Sequence, residues 1–169
     1  MRIWGITGTN GKTTTTTLVG EIMKYHCKKG SGPVVTDVYV VGNIGTPYTQ
    51  AALQMTDQTV AVAEISSFQL ETIDTFHPAV SAITNITPDH LDRHHTMEEY
   101  IRVKERITEN QTADETCVLN YEDEVLRAYG EKLHTKVIFF SSARALKKGL
   151  YLEDGAIVCN DGQTAVKIL

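Results

Sequence analysis

Lys12 and Thr13 follow Gly8-Thr9-Asn10-Gly11, so two glycines lead into a cation and a hydroxyl. A turn of this kind, placed between a strand and a helix, points successive backbone N–H groups at one anion. The helix start adds its positive end, and the lysine adds a mobile charge. Gly8, Thr9, Asn10, Gly11, Lys12, Thr13 and Thr14 are therefore candidate phosphate-binding residues, with the Thr13 hydroxyl available to a Mg²⁺ beside the phosphates. The common spacing G-x-x-x-x-G-K-[ST] would require glycine where Ile6 stands, and Gly5 comes one place too early. The order strand, turn, helix therefore carries the reading, and a bare pattern match does not.

Other chemistry-bearing residues lie further along. Glu64 closes an apolar run, where a carboxylate suits either a Mg²⁺ site at a strand end or an exposed lysine partner. Asp89-His90-Leu91-Asp92-Arg93-His94-His95 reads either as a metal-hydrolase cluster or as a solvated polar loop. Adjacent His94 and His95 cannot both point the same way on a regular element. Lys104, between Arg102 and Arg106, has by composition the look of a solvated helix face. Asn43, Ser66, Ser67 and Gln69 are equally at home as turn and cap residues or as ligand contacts.

The elements that would position these residues alternate. Runs rich in β-branched residues at Arg2–Thr7, Val38–Val41, Val60–Ile65, Ala79–Ile86, Thr116–Leu119 and Lys136–Phe140 predict strands. Helical spacing predicts helices over Lys12–Cys27, with Leu18, Val19, Ile22 and Met23 as its apolar positions, and over Pro47–Met55, Met97–Thr112 and Asp123–Leu133. This is the pattern of an α/β domain with a mostly parallel, Rossmann-like P-loop sheet flanked by helices. Beyond Gly149, Leu150–Leu152, Ala156–Cys159 and Ala165–Ile168 are split by turn residues and predict a small antiparallel β-appendage on the sheet edge. Lys28–Pro33 reads as a flexible connector.

With 169 residues, 41% of them apolar, the chain matches a single domain. A net charge of −5 argues against a nucleic-acid partner. No apolar run reaches the roughly 18 to 20 residues of a membrane span, and no leader segment is evident, so a soluble cytoplasmic protein is expected. Cys27, Cys117 and Cys159 are too few and too scattered for a disulfide framework. The abrupt ends suggest a piece of a longer protein.

Gly5-Ile6-Thr7-Gly8-Thr9-Asn10-Gly11-Lys12-Thr13 resembles the nucleotide loop of the Mur ligase family, the ATP-dependent amide ligases of peptidoglycan synthesis with their folylpolyglutamate synthetase relatives. Gly42-Asn43-Ile44-Gly45, Ala63-Glu64-Ile65-Ser66-Ser67-Phe68-Gln69-Leu70-Glu71 and Asn85-Ile86-Thr87-Pro88-Asp89-His90-Leu91-Asp92-Arg93 follow in that family's order. The Ser-Ser-Phe-Gln-Leu run is most like the branch that joins D-glutamate to UDP-MurNAc-L-alanine. The resemblance implies the central ATP-binding domain of a three-domain enzyme that forms an acyl phosphate, with the UDP-binding and amino-acid-binding domains lying outside this chain. It further implies ATP and two Mg²⁺ ions, with metal roles for Thr13, Glu64 and His90, and a CO₂-derived carbamate on Lys104 as a further ligand. Lys12, His90 and Lys104 would be catalytic, while Asn43, Ser66, Ser67 and Gln69 would face the muramoyl substrate. A non-catalytic nucleotide-binding module, a folylpolyglutamate synthetase-like domain and a hydrolase built on His90–His95 are the competing readings.

Overall fold

The computed structural model describes residues 1–29 and 35–168. Among them, nine strands form one sheet in the order β2-β3-β1-β4-β5-β6-β7-β8-β9. They are β1 (Arg2–Thr7), β2 (Asp37–Gly42), β3 (Thr59–Glu64), β4 (Val80–Ile83), β5 (Thr116–Asn120), β6 (Lys136–Ser141), β7 (Gly149–Glu153), β8 (Ala156–Asn160) and β9 (Ala165–Lys167). Pairing is parallel from β2 through β7 and antiparallel across β7, β8 and β9, as the sequence pattern implies. β1 lies between β3 and β4, so the chain reverses its direction of travel there. Ligands of open α/β sheets bind at such a reversal, beyond the carboxyl ends of the strands.

The helices are α1 (Lys12–Lys29), α2 (Tyr48–Ala52), α3 (Ser67–Leu70), α4 (Leu91–His94), α5 (Met97–Glu105) and α6 (Glu124–Gly130), and a 3-10 turn covers Arg106–Thr108. Val19 and Met23 of α1 pack with Trp4, Ile6, Val60 and Val62 on one face of the sheet. The other face is closed by a larger core that includes Leu70, Ile83, Tyr100, Val103, Ile107 and Leu119.

Three expectations are corrected in detail, and a fourth is met by the described residues only in part. Leu18 and Ile22 do not join the core; they are 58% and 56% exposed. The ridge that meets the sheet runs through buried Thr16 and Gly20, and a Cβ at Gly20 would collide with Val40, so α1 approaches closely and turns Leu18 and Ile22 outward. The strand expected to reach Ile86 stops at Ile83; Thr84 still bonds to Thr7 of β1, and from there the Thr84 and Asn85 side chains bond to Asn10 in the loop that follows. The helix expected to reach Thr112 tightens after Glu105, where Arg106 donates to the carbonyls of Leu70, Glu71 and Ile73. The connector expected at Lys28–Pro33 lies, beyond Lys29, outside the described residues, and α1 takes in Lys28 and Lys29.

At the crevice, Gly42 ends β2 with φ +110° directly against β3, where a Cβ would strike the carbonyl oxygen of Glu64. Gly155, at φ +75° in the β7–β8 turn, faces open space. Gly42→Ala is expected to destabilise the domain by about 2 kcal/mol or more, against about 1 kcal/mol for Gly155→Ala, which carries the backbone strain without the collision. Urea denaturation midpoints of the two variants check the ranking.

Candidate active site

The loop after β1 is held from two sides. On one side, the segment after β4 pairs with it: Thr9 N–H donates to the Asn85 carbonyl at 2.9 Å and Asn10 N–H to Asn85 Oδ1 at 2.9 Å. Thr84 Oγ1 and Asn85 Nδ2 donate to the Asn10 carbonyl, and Thr9 Oγ1 exchanges hydrogen bonds with the Thr87 backbone. On the other side, Lys104 Nζ from α5 donates to the Gly8 carbonyl at 2.8 Å and to Thr7 Oγ1 at 3.2 Å, and Lys12 Nζ donates to the Thr9 carbonyl at 2.9 Å. Gly8, at φ +139°, has no room for a Cβ beside Thr84, which explains the glycine.

Glu64 ends β3 and is 1% exposed. Its carboxylate accepts from Thr13 Oγ1 at 2.8 Å and from Asn43 Nδ2 at 2.9 Å. Both donors are neutral, and among the described residues no cation contacts it. A cavity of about 240 Å³ opens beside the loop, lined by Lys12, Asn43, Ser66, Ser67, His90 and Lys104 among others. Six residues singled out in the sequence, from five separate segments, thus meet at one place, with Glu64 just behind Asn43.

The remaining candidates fall elsewhere. Gln69 does not line the cavity; its Oε1 accepts from the Ser66 N–H and Oγ, closing a capping box at the start of α3. Thr14 is exposed on the first turn of α1. His94 and His95 diverge: His94 is 2% exposed against Phe68 and Tyr100, and His95 is exposed at φ +66°. Among the described residues no three His, Cys, Asp or Glu side chains gather as a metal site, so the His90–His95 cluster does not assemble as a hydrolase centre.

Sequence reading missed Tyr100, whose hydroxyl meets Thr9 Oγ1 at 3.0 Å and whose ring lies 5.3 Å from Lys104 Nζ. The signal was the spacing of four between Tyr100 and Lys104, which stacks them on one helix face. Thr7 and Thr84 were missed because a threonine in or after a strand ordinarily reads as β-propensity.

The Mur ligase middle domain model matches residues 6–167. The chain belongs to the Mur ligase middle-domain family. It is 56% identical over 162 residues to UDP-N-acetylmuramoylalanine–D-glutamate ligase of Lachnoclostridium phytofermentans, covering 96% of this chain and 34% of that protein. With the ligase of the same name from Clostridioides difficile it shares 53% identity, over 91% of this chain and 32% of the other. The chain thus spans about a third of the length of these curated relatives. Among solved structures, a UDP-N-acetylmuramoyl-L-alanyl-D-glutamate–2,6-diaminopimelate ligase superposes with TM-score 0.66 at 22% identity, over all of this chain and 39% of that one. MurF ligase from Thermotoga maritima in complex with ADP gives 0.62 at 20% identity, over 98% and 40%. Both likenesses support the fold.

In this Mur ligase domain, Glu64 and Thr13 fit a hard divalent cation: a buried carboxylate with only neutral partners lacks balancing charge, and both groups offer oxygen. The Lys104 ammonium fits no cation in its unmodified state, because it would repel one. Burial pushes the Lys104 amine down to about 7, with nearby Lys12 adding to the shift and Asp89 and Glu64 opposing it. The unfolded chain keeps this proton up to the ordinary lysine value of 10.5. Over that interval the unfolded state therefore binds more protons, and stability rises with pH. Cys117, whose thiol burial pushes up to about 12, offsets that rise above its ordinary value of 9.0. In metal-free buffer between pH 7.5 and 9, Lys104→Met should remove up to about 1.4 kcal/mol per pH unit of that rise, measured as the difference in urea-derived stability between wild type and variant.

Proposed function

We propose that this domain handles ATP within a ligase that joins D-glutamate to UDP-MurNAc-L-alanine through an acyl phosphate, in the cytoplasm and as a step of peptidoglycan synthesis. The observation that supports it is the loop Gly8–Thr13, braced on both sides, opening beside the Glu64 carboxylate onto a cavity with two lysines, His90, Asn43 and two serines. The terminal phosphoryl group of ATP moves to the substrate carboxylate, leaving ADP. The amine of D-glutamate then attacks the acyl carbon and expels phosphate. The flanking domains outside this chain hold the UDP end and the amino acid.

The residues divide this work. Loop amides and Lys12 hold the phosphates and carry the charge that builds up as the phosphoryl group leaves. The Lys12 ammonium rests on the Thr9 carbonyl, one residue from the loop amides, and can swing to a phosphate without crossing the site. Thr13 and Glu64 would hold Mg²⁺, which neutralises phosphate charge when bound. Asn43 orients Glu64 from the far side. His90 lines the cavity together with Lys104. Near neutral pH a share of the Lys104 amine is unprotonated, so it can add CO₂ to form a carbamate with loss of one proton; the carbamate and His90 would together suit a second Mg²⁺.

In the intact ligase, Lys12→Ala is expected to lower turnover by about two to three powers of ten, read as phosphate release that depends on both substrates. Undiminished turnover would make the loop a structural turn only. Lys104→Ala should be similarly crippled and partly restored by added short-chain carboxylates, because these refill the anionic position. The 169-residue chain by itself should form no amide bond, since holding both substrates together supplies on the order of 7 to 11 kcal/mol of such a reaction. Amide formation by the chain alone, followed by chromatography, would contradict the division of labour between domains.

A further inference from the structure

Ser67 ends at the cavity with its hydroxyl tied to a group that the proposed reaction leaves unused. Its Oγ lies 3.0 Å from His94 Nε2, and Nδ1 of the same ring lies 3.5 Å from Glu71 Oε1. Ser67 and His94 are each 2% exposed, so solvent does not compete for these contacts. The His94 ring cannot turn over freely, because it is stacked on Phe68 at 5.7 Å and braced by Tyr100 at 5.2 Å. Glu71 is in turn gripped by Arg93, whose Nη2 donates at 2.7 Å and which holds the carboxyl below the usual carboxylate range.

The Glu71 charge favours a proton on the ring nitrogen that faces it, Nδ1. In the neutral ring Nε2 is then an acceptor, and the Ser67 hydroxyl donates to it. What Ser67 turns toward the cavity is therefore a lone pair. Ser66, its neighbour on the same wall, likewise commits its proton: its Oγ donates to Gln69 Oε1 at 2.9 Å and accepts from the Gln69 N–H at 3.3 Å, which leaves it one further lone pair. Both hydroxyl protons are thus committed to partners within the fold. A carboxylate or phosphate oxygen would meet lone pairs here, whereas Lys12 provides an anion-binding side of the same cavity.

We propose that His94, set by Glu71, is a positioning residue that fixes Ser67 as a hydrogen-bond acceptor, so that the Ser66–Ser67 wall selects acyl substrates carrying an N–H donor next to the reacting carboxylate. The proposal rests on the ligase reading above and names the polarity of one wall of its site. N-acyl amino acids have that donor; the corresponding esters, with oxygen in place of N–H, present a further lone pair and are rejected.

The intact ligase is assayed with the amide substrate and with its ester analogue, and kcat and KM are determined separately. The wild type should favour the amide by at least about tenfold in kcat/KM, chiefly through KM. Ser67→Ala and His94→Phe should each cut that preference by at least about fivefold; the Phe variant keeps an aromatic ring in place and loses the acceptor together with the Nδ1–H that faces Glu71. His94→Gln, whose amide oxygen can take the serine proton, should restore it. In parallel, long-range proton–nitrogen NMR of the 169-residue chain at pH 8 should place the His94 proton on Nδ1. A preference that survives Ser67→Ala and His94→Phe would overturn the proposal and leave the ligase reading intact. No turnover of either substrate by the wild type would instead defeat the ligase reading, and a His94 proton found on Nε2 would overturn the acceptor assignment by itself.

Discussion

Lys104 and Lys12 each donate to a carbonyl of the same turn, Gly8 and Thr9, so two like charges share one short strip of backbone. That sharing is unfavourable on electrostatic grounds: the proximity of Lys12 is one of the causes that lower the affinity of Lys104 for its proton. It is also what sets the direction of the loop. With the Thr9 and Asn10 N–H groups taken by Asn85, the amides left to face an anion are those further along, from Gly11 into the first turn of α1, which is the geometry a phosphate cradle needs. The placement of β1 between β3 and β4 follows from the same requirement, because only a central strand can deliver its loop to partners on both sides.

The clamp from β4 complements the lysines. Thr84, Asn85 and Thr87 satisfy loop groups that would otherwise need water, and Asp123 extends the brace by accepting from the Ile86 N–H at 2.7 Å while capping α6. A chain of hydrogen bonds thus runs from the loop through the β4 segment to α6. On the opposite side, Gly42 lets β2 come against the Glu64 backbone, and Asn43 immediately follows to hold the Glu64 side chain. One close approach sets both the strand end and the carboxylate.

Much of this was legible because the residues concerned are unusual for their setting. A glycine pair before Lys-Thr and a carboxylate closing an all-apolar strand have few structural uses, so their chemistry shows in the sequence. Lys104 was legible only through family resemblance. Flanked by Arg102 and Arg106 it looks solvated, and its burial depends on the long-range approach of the β1 loop, which no local pattern encodes. The outward turn of Leu18 and Ile22 was hidden for a related reason: a helix with a small-residue face against the sheet inverts the usual rule that the apolar stripe points inward. Gln69 illustrates the opposite case, in which a residue with ligand-like chemistry is absorbed by a local cap.

The sheet is also lopsided in where it carries burial. All six residues of β3 are buried, whereas all three of β9 are exposed, and the elements that build the site lie within residues 7–104. β7 joins the parallel strands through two residue pairs only, Phe140 with Leu150 and Ser141 with Tyr151, before the chain turns back on itself. Opening of β9 exposes nothing that was buried, and opening of β8 as well gives up only the small Val158 cluster with Leu146 and Tyr151; neither breaks the hydrogen bonds around the loop. Amide exchange should therefore proceed as a gradient, fast at the antiparallel edge and slowest beneath the phosphate cradle, so that the rim can breathe while the chemistry stays locked.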